Sequence, residues 1–170
     1  MSFKLRNIGD LVNKVGGPEF QLKIEPEKRL IFEISETIPI YKCIQVLIEN
    51  TTEYYQTFKV KCTSMEIFKV KPPIGFIEPK KNVTITVVFS VKNDKTVPEC
   101  FKHFFAFYHT KLIELKPKKG PLFQKELKEY WSKLKKYDGV RRMWCIFLKN
   151  NGSEYTPPVD CNVEDDNIKK

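Results

Sequence analysis

Only two histidines, His103 and His109, and five cysteines, Cys43, Cys62, Cys100, Cys145 and Cys161, offer side chains suited to nucleophilic or proton-transfer chemistry near neutral pH. The histidines stand six residues apart in a strand-like stretch, so they can share a face, but two imidazoles without a third ligand make no metal centre. The cysteines are odd in number and separated by 19, 38, 45 and 16 residues, a spacing that fits neither a zinc site nor a disulfide framework. They read as reduced thiols, small residues of a core rather than nucleophiles. A Gly-rich phosphate loop, His-Glu-x-x-His, Gly-x-Ser-x-Gly and Cys-x-x-Cys are all missing from the sequence. No catalytic, cofactor-binding or metal-ligating residue is therefore assigned, and a non-enzymatic protein is expected.

The remaining chemistry belongs to lysine. If Phe58, Val60 and Cys62 point into a core, then Lys59, Lys61 and Thr63 point out together, spaced by about 7 Å per pair along a strand. The alternative is an ordinary solvated strand face. A second concentration runs from Lys116 to Lys136, with eight Lys against two Glu, a net +6 in a chain whose total is +9. Lysines on one surface can neutralise phosphates, and Tyr130, Trp131 and Tyr137 could stack on bases. Those aromatics also sit at helical core spacing, which disfavours a nucleic-acid partner and leaves a solvated face, an acidic protein or an anionic membrane surface.

Elements must position these groups. A chain of 170 residues, 41% hydrophobic and 13% aromatic, is long enough for one domain with a sizeable core. Period-two alternation recurs in Leu22–Ile24, Leu30–Phe32–Ile34, Ile44–Val46–Ile48, Phe58–Val60–Cys62 and Val83–Ile85–Val87–Phe89. Turn signals separate them at Pro26, Ser35 to Pro39, Asn50 to Thr52, Pro72-Pro73, Glu78 to Lys80 and Asn93-Asp94. Short strands at this spacing, with no helices between, predict an all-β, immunoglobulin-like antiparallel sandwich. Phe101 to Tyr108 is apolar on both faces, as in a central or covered strand.

Helical spacing returns only in Leu122 to Tyr137, through Phe123, Leu127, Tyr130 or Trp131, and Leu134, with Lys133, Lys135 and Lys136 in the last turn and Asp138-Gly139 as the stop. Arg141 to Lys149 then reads as the closing strand, with Met143, Cys145 and Phe147 on one face. Residues 1–19 form an N-terminal arm in which Leu5, Ile8, Leu11, Val12 and Val15 permit a short helix. The domain spans residues 20–158, its lysine-rich insert and helix lying within 112–138, and residues 159–170 form a flexible acidic tail. Neither a signal peptide nor an apolar run near the roughly 20 residues of a membrane span is found, so a cytoplasmic setting is expected and the sequons at Asn50, Asn82 and Asn151 should stay unmodified.

Particular segments carry a family resemblance. Leu22-Lys-Ile-Glu-Pro26, Leu30-Ile-Phe32, Val46-Leu-Ile-Glu-Asn50, Phe58-Lys-Val-Lys-Cys-Thr63 and, most specifically, Lys71-Pro-Pro-Ile-Gly-Phe-Ile-Glu-Pro-Lys80 resemble the major sperm protein (MSP) domain. The resemblance spans Leu22 to about Pro158 and implies a seven-stranded sandwich. Asp138-Gly-Val-Arg-Arg142 and Glu154-Tyr-Thr-Pro157 are similar to closing motifs of the nematode filament proteins, which favours that branch over the VAP proteins. It implies a structural protein of the sperm cytoskeleton, a filament subunit or an accessory that supports amoeboid motility. Its partners would be MSP filaments or further copies of itself, with Leu47, Val88 and Phe105 as apolar outer-face residues for assembly. The alternative, implied by the VAP branch, is a module that binds acidic two-phenylalanine peptides through Lys59, Lys61, Thr63, His103 and Phe105. Here Cys62 replaces a threonine of that branch, and His103 and Phe105 stand where a lysine and a methionine would be wanted. Pro72, Pro73 and Pro79 belong at edges or bends whatever the family, and one of them is a candidate for a cis bond.

Overall fold

The computed structural model describes residues 9, 11, 17–34, 39–92 and 96–155. The proposed N-terminal helix, apart from Leu11, and the acidic tail lie outside the described residues. The elements are β1 (Lys23–Glu25), β2 (Arg29–Glu33), β3 (Ile40–Glu49), β4 (Gln56–Cys62), β5 (Phe68–Lys71), β6 (Ile74–Ile77), β7 (Asn82–Val91), β8 (Phe104–Lys111), α1 (Pro121–Lys133) and β9 (Gly139–Leu148). They build a four-stranded sheet, β1-β3-β7-β5, facing a five-stranded sheet, β2-β9-β8-β4-β6. The expected β-sandwich is the observed architecture.

These nine strands are seven passages of the chain, because two passages break at proline and divide between the sheets. The first changes sheets at Pro26, between β1 and β2, and the second at Pro72-Pro73, between β5 and β6. Proline has no N–H to give a ladder, so a strand that meets one loses its partner and is free to turn toward the other sheet. The Glu25–Pro26 and Lys71–Pro72 bonds are both cis. One strand pair departs from the antiparallel expectation: β2 runs parallel to β9, with Leu30 opposite Cys145 and Phe32 opposite Phe147. Sequence alternation shows which side of a strand is apolar, whereas the direction of a neighbour more than a hundred residues away leaves no mark in it.

Between the sheets, Phe32, Phe68, Phe89, Phe105 and Phe147 are fully or almost fully buried and touch one another. Ring centroids lie 4.8 Å apart for Phe89 and Phe147, 5.5 Å for Phe32 and Phe147, and 5.0 Å for Phe68 and Phe105. Such tilted, stacked and edge-on pairs add specific geometry to the large area these rings bury.

A second, smaller core lies outside the sandwich. The helix α1 begins with Pro121 and buries Phe123, Leu127 and Trp131, one side chain per turn, against Ile74 and Leu112. Trp131 Nε1 donates to the buried Thr57 Oγ1 at 2.9 Å, and that hydroxyl donates to Gly75 O at 2.7 Å. The helix thereby covers the outer face of β4 and β6. Its end differs from the sequence expectation: the backbone turns extended at Leu134, leaving Lys135 and Lys136 beyond the last turn. Asp138 does not stop the helix. Its carboxylate instead accepts from the Lys111 backbone at 2.8 Å and from Thr110 Oγ1 at 3.2 Å, tying the returning chain to β8. Trp131→Phe should lower unfolding free energy by about 1–3 kcal/mol, since it strips Thr57 of a buried donor and leaves a gap. Urea denaturation checks this, and an unchanged midpoint would mean that α1 does not brace the sheet.

Candidate protein-docking face

The outer face of the five-stranded sheet is assembled by register. Lys61 lies opposite Ala106, and Ala106 opposite Arg142; Lys59 lies opposite Tyr108; Phe104 lies opposite Trp144, which is also opposite Arg29. Lys61 and Arg142 thus flank the small Ala106 from the two neighbouring strands, their backbones about 10 Å apart. Along β8, Phe104 and Tyr108 stand to either side of Ala106. The result is a surface with aromatic walls and a cationic rim, over an Ala106 that its neighbours already close over, at 3% exposure.

Local contacts hold these side chains. The Lys61 ammonium sits 5.6 Å from the Tyr108 ring centroid, a cation–π distance, and Tyr108 packs edge-on against Tyr137 at 4.8 Å. Partial burial, reinforced by the charge of Lys61, lowers the pKa of Lys59. Thr63 Oγ1 accepts from the Phe104 backbone at 3.2 Å and lies 2.9 Å from His103 Nδ1, a pairing that suits an unprotonated Nδ1 accepting from the hydroxyl. Burial first, and then the charge of Lys102, lowers the pKa of His103. At the far end, Arg29 lies over Phe101 at 4.9 Å, and Phe101 and Phe104 both meet Trp144 edge-on.

Beside this face the sandwich is open. Beyond Lys59, β6 no longer covers β4, and β5 belongs to the other sheet. A groove of about 630 Å³ runs between them, with Val60, Phe68 and Val70 inside and Lys59, Lys61, Lys69 and Lys71 around its mouth, near the exposed Met65. Apolar depth with a cationic rim suits an extended acidic segment bearing large apolar side chains.

The structure therefore brings Lys59, Lys61 and Thr63 to one side of the sheet, whereas the His103 ring packs edge-on against the core residue Phe68 at 5.9 Å and meets that side only through its Nδ1 contact with Thr63. Phe105 is a correction. It is fully buried, because it pairs with the inward-facing Cys62 rather than with Lys61, and a one-residue offset exchanges the two faces of a strand. Its neighbours Phe104 and Ala106 occupy the outer face instead. Arg142 was missed, although its alternation with the apolar Met143 already placed it outward. On the other sheet, Leu47 is 40% exposed, whereas Val88 lies between Cys43 and Lys69 and is only 5% exposed. That is a second correction: Val88 faces outward but is closed over, and Tyr41, 66% exposed, is the apolar group that accompanies Leu47 there.

Among the described residues, no three or more His, Cys, Asp or Glu side chains gather as a metal site, and no helix is long and apolar enough to cross a membrane. Cys43, Cys62, Cys100 and Cys145 are not joined in disulfides, and burial pushes the Cys145 thiol well above its ordinary pKa.

Comparison with known proteins agrees with this architecture. The model of the MSP (Major sperm protein) domain family matches residues 21–131, ending inside α1. An uncharacterized protein of Caenorhabditis elegans is 31% identical over 158 residues, covering 81% of this chain and 82% of that protein. A second from the same organism is 35% identical over 105 residues, covering 62% and 71%. The solved structure of SSP-19, an MSP-domain protein like family member in C. elegans, superposes with a TM-score of 0.53 at 10% identity, covering 73% of this chain and 96% of that one. WR4, a C. elegans MSP family member, superposes with a TM-score of 0.51 at 13% identity, covering 75% and 97%. With the family model matching well over half its length, this chain belongs to the MSP domain family.

Proposed function

We propose that this protein is a non-enzymatic association module that docks an acidic, aromatic-bearing segment of a protein partner on the outer face of its five-stranded sheet. The observation that carries this reading is the meeting of Lys59, Lys61 and Arg142 around Ala106, with Phe104 and Tyr108 beside it. Cations give such a partner its approach and register, and the aromatic walls give side chains a place to bury. His109 supports a non-enzymatic reading, since it is fully buried and held by hydrogen bonds to the Gln21 backbone and Gln56. An acidic two-phenylalanine peptide should bind the full chain at low salt, and Lys61→Glu combined with Arg142→Glu should weaken it by about tenfold or more. Fluorescence anisotropy measures this. Equal affinity for the two proteins would refute the assignment of the face.

A second reading places the module in the sperm cytoskeleton, in the cytoplasm, as an accessory of MSP filaments. Family membership, the nematode relatives and the exposed Tyr41 and Leu47 on the opposite sheet favour it. A subunit of net charge +9 repels its own copies at low salt, so association with a filament of opposite charge should exceed self-polymerisation. Co-sedimentation with MSP filaments should weaken more with Leu47→Lys than with Lys128→Glu. Equal effects would remove the four-stranded sheet from the contact.

A further inference from the structure

The lysines of the insert form a surface of other residues than the docking face, although Tyr137 joins the two by packing on Tyr108. All eight of its lysines, from Lys116 to Lys136, are exposed, and only two glutamates oppose them. The segment contains no arginine. Lysine presents a point charge on a flexible stem, whereas recognition of one particular carboxylate or phosphate usually draws on the planar fork of arginine. A cloud of lysines instead suits a diffuse, laterally mobile field of negative charge.

The apolar residues of the insert decide which such field it fits. Its aromatic rings are used internally: Phe123 and Trp131 are buried, Trp131 Nε1 is bonded to Thr57, Tyr137 packs on Tyr108, and the half-buried Tyr130 packs against the same small core. They are not available as stacking platforms for bases. What remains outside is aliphatic, Leu122 at 80% exposure and Ile113 at 73%. Each is the chain neighbour of a residue of the small core, Phe123 and Leu112 respectively, so both lie at the rim of that cluster. Exposed aliphatics add nothing to the phosphate contacts that lysines make with a nucleic acid. At the surface of a bilayer they enter the headgroup boundary while the ammonium groups stay at the phosphate level.

We propose that the insert, with Leu122, Ile113 and the lysines of α1 and its flanks, is a docking surface for anionic lipid bilayers. Because it uses other residues than the peptide face does, this proposal stands or falls separately from that reading.

Sedimentation of the full chain with vesicles tests it. Binding is expected to vesicles containing about 30% phosphatidylserine, not to pure phosphatidylcholine, and should fade as salt rises from about 0.05 to 0.5 M. Lys125→Glu with Lys128→Glu should lower the bound fraction about fivefold. Leu122→Ser with Ile113→Ser should lower it about threefold. Lys61→Glu with Arg142→Glu, which disables the other face, should change it by less than about twofold, so loss of peptide binding and loss of membrane binding are told apart. All the altered insert residues are exposed, and a thermal melt verifies that the variants stay folded. Equal binding to neutral and anionic vesicles would overturn the proposal, as would indifference to the lysine reversals. So would a serine pair that binds like the parent while a single-stranded oligonucleotide binds as tightly as the vesicles, since the surface would then be a generic polyanion sink.

Discussion

Asn50→Ala should cost about 3–5 kcal/mol of stability, a loss large enough to leave a sandwich of this size only marginally folded. The Asn50 side chain is fully buried where the loop after β3 meets the loop after β6. Its Nδ2 donates to Tyr54 O at 2.7 Å, Ile77 O at 3.0 Å and Glu78 O at 3.1 Å. Its Oδ1 accepts from the Thr52 backbone at 3.0 Å and from Thr52 Oγ1 at 2.7 Å. Alanine would strip the buried Ile77 carbonyl of its side-chain donor and release the part-buried Tyr54 and Glu78 carbonyls and the Thr52 N–H from the hub that joins the two loops. Asn50→Asp should be at least as damaging, because it replaces the amide donors with a charged acceptor facing the same carbonyls. The exposed Asn82 provides the contrast, where Ala should change stability by no more than about 0.5 kcal/mol. Urea unfolding of the three variants decides the matter. An Asn50→Ala protein within about 1 kcal/mol of the parent would show that the loops do not depend on this hub. The same burial makes Asn50 a poor glycosylation acceptor despite its sequon.

Acid should weaken the fold through His109. The ring is fully buried at the end of β8, with Nε2 accepting from the Gln21 backbone at 3.0 Å and Nδ1 lying 3.1 Å from Gln56 Oε1. An acceptor role for Nε2 puts the proton on Nδ1, which donates to Gln56. Phe20 meets the ring edge-on at 4.9 Å, and a Cβ added at Gly139 would run into the ring and come within 2.6 Å of Glu19 O. His109 thus fastens the segment before β1 onto β8 and β9. Burial pushes its pKa down to about 4, against a smaller opposing pull from Asp138.

An unfolded histidine titrates near 6.5, so between about 6.5 and about 4 the unfolded chain takes up a proton that the folded chain refuses. Stability is complete at pH 7, falls as the pH drops through that window, and has lost about 3 kcal/mol once the pH is below it. Burial of His103 acts in the same direction. His109→Gln should flatten the slope of unfolding free energy between pH 6.5 and 4.5, at some cost in stability, while His103→Asn should remove the smaller share. A parent protein equally stable at pH 7 and pH 4.5 would contradict the buried neutral ring.

Much of this architecture was legible in single residues. Leu30 and Phe32, or Val46 and Ile48, alternate with polar neighbours because one side of each strand meets water, and all four are fully buried. Pro26 and the Pro72-Pro73 pair marked breaks because proline cannot join a ladder, although nothing local indicated that the chain changes sheets there. In Phe101 to Tyr108 the signal failed for a physical reason. β8 is central and partly covered outside, so both its faces are apolar, and alternation could not tell Phe105 from Phe104. Only pairing with β4 and β9 settles that, and with it the composition of the docking face. The helix was readable from Phe123, Leu127 and Trp131, but its end was not, because Lys135 and Lys136 suit a C-terminus as well as they suit solvent. The hydrogen bonds of His109 to Gln56 and Gln21 join residues 53 and 88 positions apart, a distance over which sequence pattern carries no information.

The central claim is that a partner segment docks on the cationic and aromatic outer face of the five-stranded sheet. Amide chemical-shift mapping of the isotope-labelled full chain, titrated with an acidic two-phenylalanine peptide, tests it most directly. Saturable shifts are expected at Lys59 to Thr63, at His103 to Tyr108 and around Arg142, leaving Tyr41, Leu47 and the exposed side of α1 unmoved. Shifts confined to the four-stranded sheet or to α1, or none at peptide concentrations well above the protein's, would contradict it.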